Sequence, residues 1–254
     1  MFGGLRMSTR RRGREEGEKP FWISFSDLMS ALMVLFLVAL TVALLAVTKK
    51  VSEDEREDRD RTEAISALMA EIKQVVSEKE FEGVRVVGNT IDFGPRGLFG
   101  NAQNTLTTPQ RQLLHQFTPK LLDRLRVTDA GKYWFKRAVV EGYASQSGKY
   151  LFNLNLSLER SERVLCELLR DPVNGDAALP VADREQIATQ FFVGGASFNS
   201  LRATAEDSRR IEFKLEFKSR QERNDERNNP ASAVDEAALA QALDPKERCP
   251  ILDR

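Results

Sequence analysis

The stretch from Phe21 to Val47, FWISFSDLMSALMVLFLVALTVALLAV, is 27 residues long and carries one charge, Asp27. Its other polar side chains include Ser24, Ser26, Ser30 and Thr41. At ~1.5 Å per residue, a helix of this length reaches about 40 Å and crosses a hydrocarbon core of about 30 Å. The segment 21–48 is therefore read as a transmembrane helix. Inside such a helix an ionisable side chain costs roughly 2.5–3.5 kcal/mol on insertion scales, which makes Asp27 a functional-site candidate by default.

The competing reading is that Asp27 helps to start the helix. Pro20 suits a first helical position, and a carboxylate near a helix N-terminus meets a favourable dipole. Asp27 lies two turns in, however, beyond the reach of that effect, and its short side chain snorkels less far than Lys or Arg. Helical spacing puts Ser24, Asp27 and Ser30 on one face. A stripe of small polar residues packs better against partner helices than against lipid, so Ser24 and Ser30 are candidates for a channel face. The span offers Asp27 no basic partner. That favours a carboxyl that gains and loses a proton over a fixed ion pair. Sodium stays open as the coupling ion, because the two serine hydroxyls can join the carboxylate in oxygen ligation. No cofactor beyond the ion is expected.

The flanks set an orientation. Arg6, Arg10, Arg11, Arg12, Arg14 and Lys19 precede the span, whereas Lys49 and Lys50 are its nearest basic followers. The positive-inside rule makes 1–20 a cytoplasmic basic segment. The apolar run exceeds a signal-peptide core and lacks a clear small-x-small cleavage site, which reads as an uncleaved anchor. The expected location is the bacterial inner membrane, crossed once, with the rest of the chain periplasmic. Lys+Arg and Asp+Glu both total 38, so charge balance gives no reason to expect a nucleic-acid partner. Cys166 and Cys249 would then face an oxidising compartment, either bridged or as free thiols.

Residues 49–82 read as a juxtamembrane helical linker, a dimer contact or a plug. Glu55/Arg59 and Glu57/Arg61 are spaced to support a helix, and Ile65, Leu68, Met69, Ile72, Val75 and Val76 form an apolar stripe. Residues 83–218 read as a mixed α/β domain. Short strands at Val84–Val87 and Thr90–Phe93 flank the hairpin pair Gly88-Asn89. Thr107 or Thr108 caps a helix running from Pro109 to about Leu125. Tyr133–Tyr143 is strand-like, Leu156–Leu169 helical with Ser157 as a good cap, and Gln190–Val193 a strand. Strict alternation marks Ile211–Lys218 as a strand burying Ile211, Phe213, Leu215 and Phe217. The polar segment 219–254 reads as a loosely ordered tail.

Three short motifs carry a resemblance. Val140-Glu-Gly-Tyr-Ala-Ser145, Asn153-Leu-Asn-Leu-Ser-Leu-Glu-Arg160 and Ser208-Arg-Arg-Ile-Glu212 resemble the OmpA-like peptidoglycan-binding domain, with its EGHTD, N-x-x-L-S-x-x-R and N-R-R-V patterns. With the P-F-W-x-x-x-x-D-L-M start, the chain resembles the B subunits of ion-driven membrane motors, those of flagellar stators and of the Zorya antiphage systems among them. The resemblance implies an α+β fold, with one N-terminal transmembrane helix followed by an OmpA-like α/β sandwich. It also implies a homodimer surrounded by a pentameric partner subunit in the membrane, and an output in defence against phage. The peptidoglycan-binding positions it implies are Tyr143, Ser145, Phe152, Asn153, Leu156 and Arg160, with Arg160 gripping a stem-peptide carboxylate. The sequence departs from the pattern at Tyr143, where His is usual, and at Ser145, where Asp is usual. Phe152 stands where Tyr is frequent.

An enzyme is not expected. His115 is the only histidine, and no metal-ligand cluster, nucleophile elbow or phosphate-cradling glycine loop is present. Gly94–Gly100 is glycine-rich but opens no helix and reads as a loop.

Overall fold

The computed structural model describes residues 19–172, 178–229 and 235–251. The basic segment expected at 1–20 lies outside them except for its last two residues. The chain divides into two units, Met1–Arg56 and Glu57–Arg254.

The first unit is helical where described. It carries the N-terminal part of α1 (Lys19–Val76), which is long and apolar enough to cross a membrane by length and composition. The apolar side chains of this part stand exposed; Leu28 and Phe36, for example, are each 67% accessible. Hydroxyls inside it turn back onto their own helix: Thr41 donates to the Leu37 carbonyl at 2.7 Å and Thr48 to that of Leu44 at 2.8 Å. Such internal bonds satisfy these donors within an apolar surround.

The second unit begins with the last turns of α1, where Leu68, Met69, Ile72 and Val75 are buried. The strands are β1 (Arg85–Val87), β2 (Thr90–Asp92), β3 (Phe135–Gly142), β4 (Phe191–Gly195) and β5 (Ile211–Phe217). They form one sheet in the order β1-β2-β5-β3-β4, in which β3 and β4 run parallel and the other neighbours antiparallel. Gly88, at φ 58°, supplies the left-handed residue that closes the β1–β2 hairpin. The parallel pair requires a crossover, made by α3 (Tyr150–Leu169) and α4 (Val181–Gln190). α2 (Thr108–Val127) starts on a capping box, in which Thr107 and Gln110 bond each other's backbone. Edge-on aromatic contacts knit the core: Phe93 lies 5.5 Å from Phe117 and 4.9 Å from Phe213, centroid to centroid.

Four local expectations need correction. α3 begins at Tyr150 with Lys149 as its N-cap, so Ser157 lies inside the helix instead of capping it. Tyr133 and Trp134 belong to a wide helical turn, Ala130–Trp134, and β3 starts one residue later. Phe217 is only partly buried. The segment after residue 218 holds α6 (Arg220–Asn228) and α7 (Glu236–Ala242), preceded in chain order by the four-residue α5 (Ala205–Ser208). Ser219 caps α6 through a reciprocal bond pair with Glu222. Cys166 of α3 and Cys249 are joined as a disulfide with Cα atoms 5.7 Å apart, which ties the C-terminal segment to the helix layer.

Candidate functional site

The end of β3 and the start of α3 meet closely because two strand positions lack a Cβ. A methyl group at Gly142 would stand 1.9 Å from the Ser157 carbonyl oxygen, and one at Gly195 would lie 2.8 Å from the Leu158 nitrogen. The helix faces these glycines with small residues. The Ser157 hydroxyl donates to the Leu154 carbonyl and accepts the Ser197 N–H at 2.9 Å; Ser161 donates to the Gly194 carbonyl at 3.0 Å. Seated so deep, α3 presses Arg160 into the domain.

Arg160 is fully buried. Its Nε donates to the Gln103 carbonyl at 2.9 Å, Nη1 to that of Tyr143 at 2.6 Å, and Nη2 to that of Gly100 at 3.1 Å. Its guanidinium also lies 5.1 Å from the Phe99 ring centroid. Burial, with a smaller push from the Arg209 charge, brings its pKa down to about 10. It stays cationic at neutral pH. Gly94–Gly97, expected as loop, forms a short 3-10 helix, and the segment that follows acts structurally at the site through the carbonyl of Gly100. That contribution has no side-chain signature in the sequence.

A cavity of about 190 Å³ opens beside Arg160. Of the expected residues, Ser145, Phe152, Asn153, Leu156 and Arg160 line it. The Asn153 amide donates to the Ser147 carbonyl at 2.8 Å and so holds the loop before α3. Tyr143 does not line this cavity. It gives Arg160 its carbonyl, but its ring lies 3.9 Å from the Arg210 guanidinium carbon and its hydroxyl donates to Glu141 at 2.7 Å. Burial, then that bond to Glu141, pushes the phenol pKa well above its usual value.

Arg209 lines the cavity without having been singled out from sequence. Its Nε donates to the Phe99 carbonyl at 3.0 Å, and its Nη groups make no hydrogen bond among the described residues. The signal was present in the Arg209-Arg210 pair. Adjacent residues at the start of a strand point to opposite sides, and Arg210 goes the other way, to Glu212 at 2.7 Å within a buried network that includes Arg202 and Asp92.

Asp27 lies in the exposed, apolar part of α1. Among the described residues no cation pairs with it. Ser24 and Ser30 fall three residues to either side, on its helix face, and the Ser30 hydroxyl donates to the Ser26 carbonyl at 2.8 Å. His115 is buried between α2 and α3, its Nε2 at 3.3 Å from Glu167 Oε1, and does not line the cavity. Among the described residues no cluster of His, Cys, Asp or Glu is arranged to hold a metal ion.

No family model matches the chain. It is 36% identical over 238 residues to the Zorya protein ZorB of Escherichia coli O139:H28, covering 91% of this chain and 94% of that one. Among solved structures, the OmpA-like domain of FopA1 from Francisella tularensis matches at 15% identity and TM-score 0.32, over 54% of this chain and 82% of that one. The periplasmic domain of Helicobacter pylori MotB matches at 12% identity and TM-score 0.38, over 59% and 93%.

Proposed function

The chain belongs to the ZorB family, and on that premise we propose that it is the B subunit of a proton-driven membrane motor, fixed to peptidoglycan and acting in antiphage defence. The observation that carries the motor reading is the lone Asp27 carboxylate in an apolar helix, with no cation paired to it among the described residues. Two copies would lie inside a pentamer of a ZorA-like partner, with each N-terminus in the cytoplasm. Asp27 would accept a proton from the outer side and release it inward, with Ser24 and Ser30 on the channel face. Each elementary charge crossing 100 mV gains about 2.3 kcal/mol, and protonation removes a charge that resists movement past apolar walls. The second unit would hold the dimer still on the cell wall, through the cavity built by Ser145, Phe152, Asn153, Leu156 and Arg160, while the partner ring turns.

The decisive substitution is Asp27→Asn, which keeps shape and removes the titrating group. The expected result is normal co-purification with the partner and loss of ion flux and of phage protection. Full protection by this variant refutes the motor reading and leaves a passive wall tether. Repeating the flux measurement without sodium separates proton from sodium coupling.

A further inference from the structure

The cavity beside Arg160 brings together two guanidiniums, Arg160 and Arg209, and its remaining polar lining is neutral: Asn101, Ser145, Ser147 and Asn153. No Asp or Glu lines it. Among the described residues neither arginine is in an ion pair. The Arg160 donors lie against three carbonyls, while the Nη groups of Arg209 keep their hydrogens unassigned. Of its lining, Arg160, Ser145 and Asn153 are buried, where charge effects exceed those in water, whereas Asn101, Ser147 and Phe152 are exposed. Both formal charges in its lining are positive.

We propose that this cavity selects a carboxylate whose neighbouring amine is acylated, and disfavours one that carries a free ammonium. In a wall stem peptide that distinction separates a cross-linked residue, whose amine has become an amide, from an uncross-linked one. An ammonium entering beside its own carboxylate meets two guanidiniums and no acid. Like charges brought together during desolvation are strongly penalised. An amide N–H carries no charge and finds acceptors in the Ser145 hydroxyl and the Asn side-chain oxygens. Ser145 is the position that decides: it is nearly fully buried at the cavity wall, and an aspartate there would supply the missing partner for an ammonium. This inference rests on the wall-binding reading of the site.

The test is titration calorimetry on the full-length chain in detergent, with two probes: a disaccharide-tetrapeptide carrying its free stem amine, and the same compound after N-acetylation. The acetylated compound is expected to bind at least about tenfold more tightly. Ser145→Asp is expected to invert that order. Should that variant fail to fold, Arg209→Gln is expected to narrow the ratio, since it removes one of the two opposing charges. Pull-down on whole sacculi runs in parallel. Equal or tighter binding of the free-amine compound, with sacculi retained, overturns the selectivity and leaves the wall reading intact. Sacculi retained with neither compound bound overturns it too, by showing that the contact lies elsewhere. Loss of sacculus binding by the parent chain overturns both.

Discussion

Replacing Gly142 with alanine should unseat the site without touching it. The added methyl would stand 1.9 Å from the Ser157 carbonyl oxygen and 3.4 Å from Arg160 Cβ. Ordinary contact begins near 3.4 Å, so strand and helix backbones must part by about 1.5 Å. A displacement of that size exceeds the tolerance of the 2.6 Å bond from Arg160 to Tyr143 and of the 2.9 Å bond from the Ser197 N–H to Ser157. Overpacking a rigid contact typically costs about 1–3 kcal/mol, and the upper end applies because the obstructing Ser157 carbonyl is main chain. For a unit of this size that corresponds to a fall in Tm of roughly 6–12 °C. Near-UV circular dichroism on the full-length chain reads it. Gly88→Ala is the control: it has nothing within 4 Å but holds φ at 58°, so it should lose only about 1–2 kcal/mol, from backbone strain alone. If Gly142→Ala melts within a degree or two of the parent, the close seating of α3 is not what positions Arg160, and the reasoning fails.

Arg160→Ala should destabilise the domain by at least about 3 kcal/mol, because three buried carbonyls lose their donor at once. Arg209→Ala should weaken sacculus binding while costing only about 1 kcal/mol of stability, so a thermal melt beside the pull-down tells a fold defect from a binding defect. Cys249→Ser releases a loop of 83 residues; chain entropy puts its contribution at up to about 4.5 kcal/mol, and an unchanged melting point under non-reducing conditions would contradict it. The Glu222 carboxyl is held down at about 2 by its hydrogen bond to Lys136 and its bonds to Ser219. Its folded value lies below the ordinary 4.5, so the support it gives the start of α6 is present above about pH 4.5 and is lost as pH falls towards about 2. Hydrogen exchange across 220–228 should accelerate over that window; exchange that is flat with pH would rule the cap out as the cause.

Periodicity carried most of the fold. The alternation of Ile211, Phe213 and Leu215, the Gly88-Asn89 turn and the Thr107 start of α2 each follow from local chemistry, and the structure places them as read. What local chemistry could not reveal were long-range arrangements. α3 starts a turn and a half earlier than its apolar spacing implies, because Asn153 holds the preceding loop and Ser157 faces two glycines across the sheet. Composition marked the segment beyond Ser219 as polar, and it is, but pairing between Arg223 and Glu57 at 3.4 Å and between Lys136 and Glu222 at 2.5 Å gives α6 its neighbours. At the site, the positions expected to bind come from two motifs, whereas Arg209 comes from the third, where it was not singled out, and the Gly100 carbonyl that Arg160 bonds comes from outside all three. Tyr143 shows the opposite limit: a motif position can contribute main chain alone.

With the proposed orientation, the sulfur–sulfur bond between Cys166 and Cys249 would record where a molecule matured. Cytosolic thiols are kept reduced, so a copy stranded there would leave its helix layer untied. Labelling with a thiol-reactive dye, without prior reductant, would therefore sort individual molecules by the side of the membrane they reached.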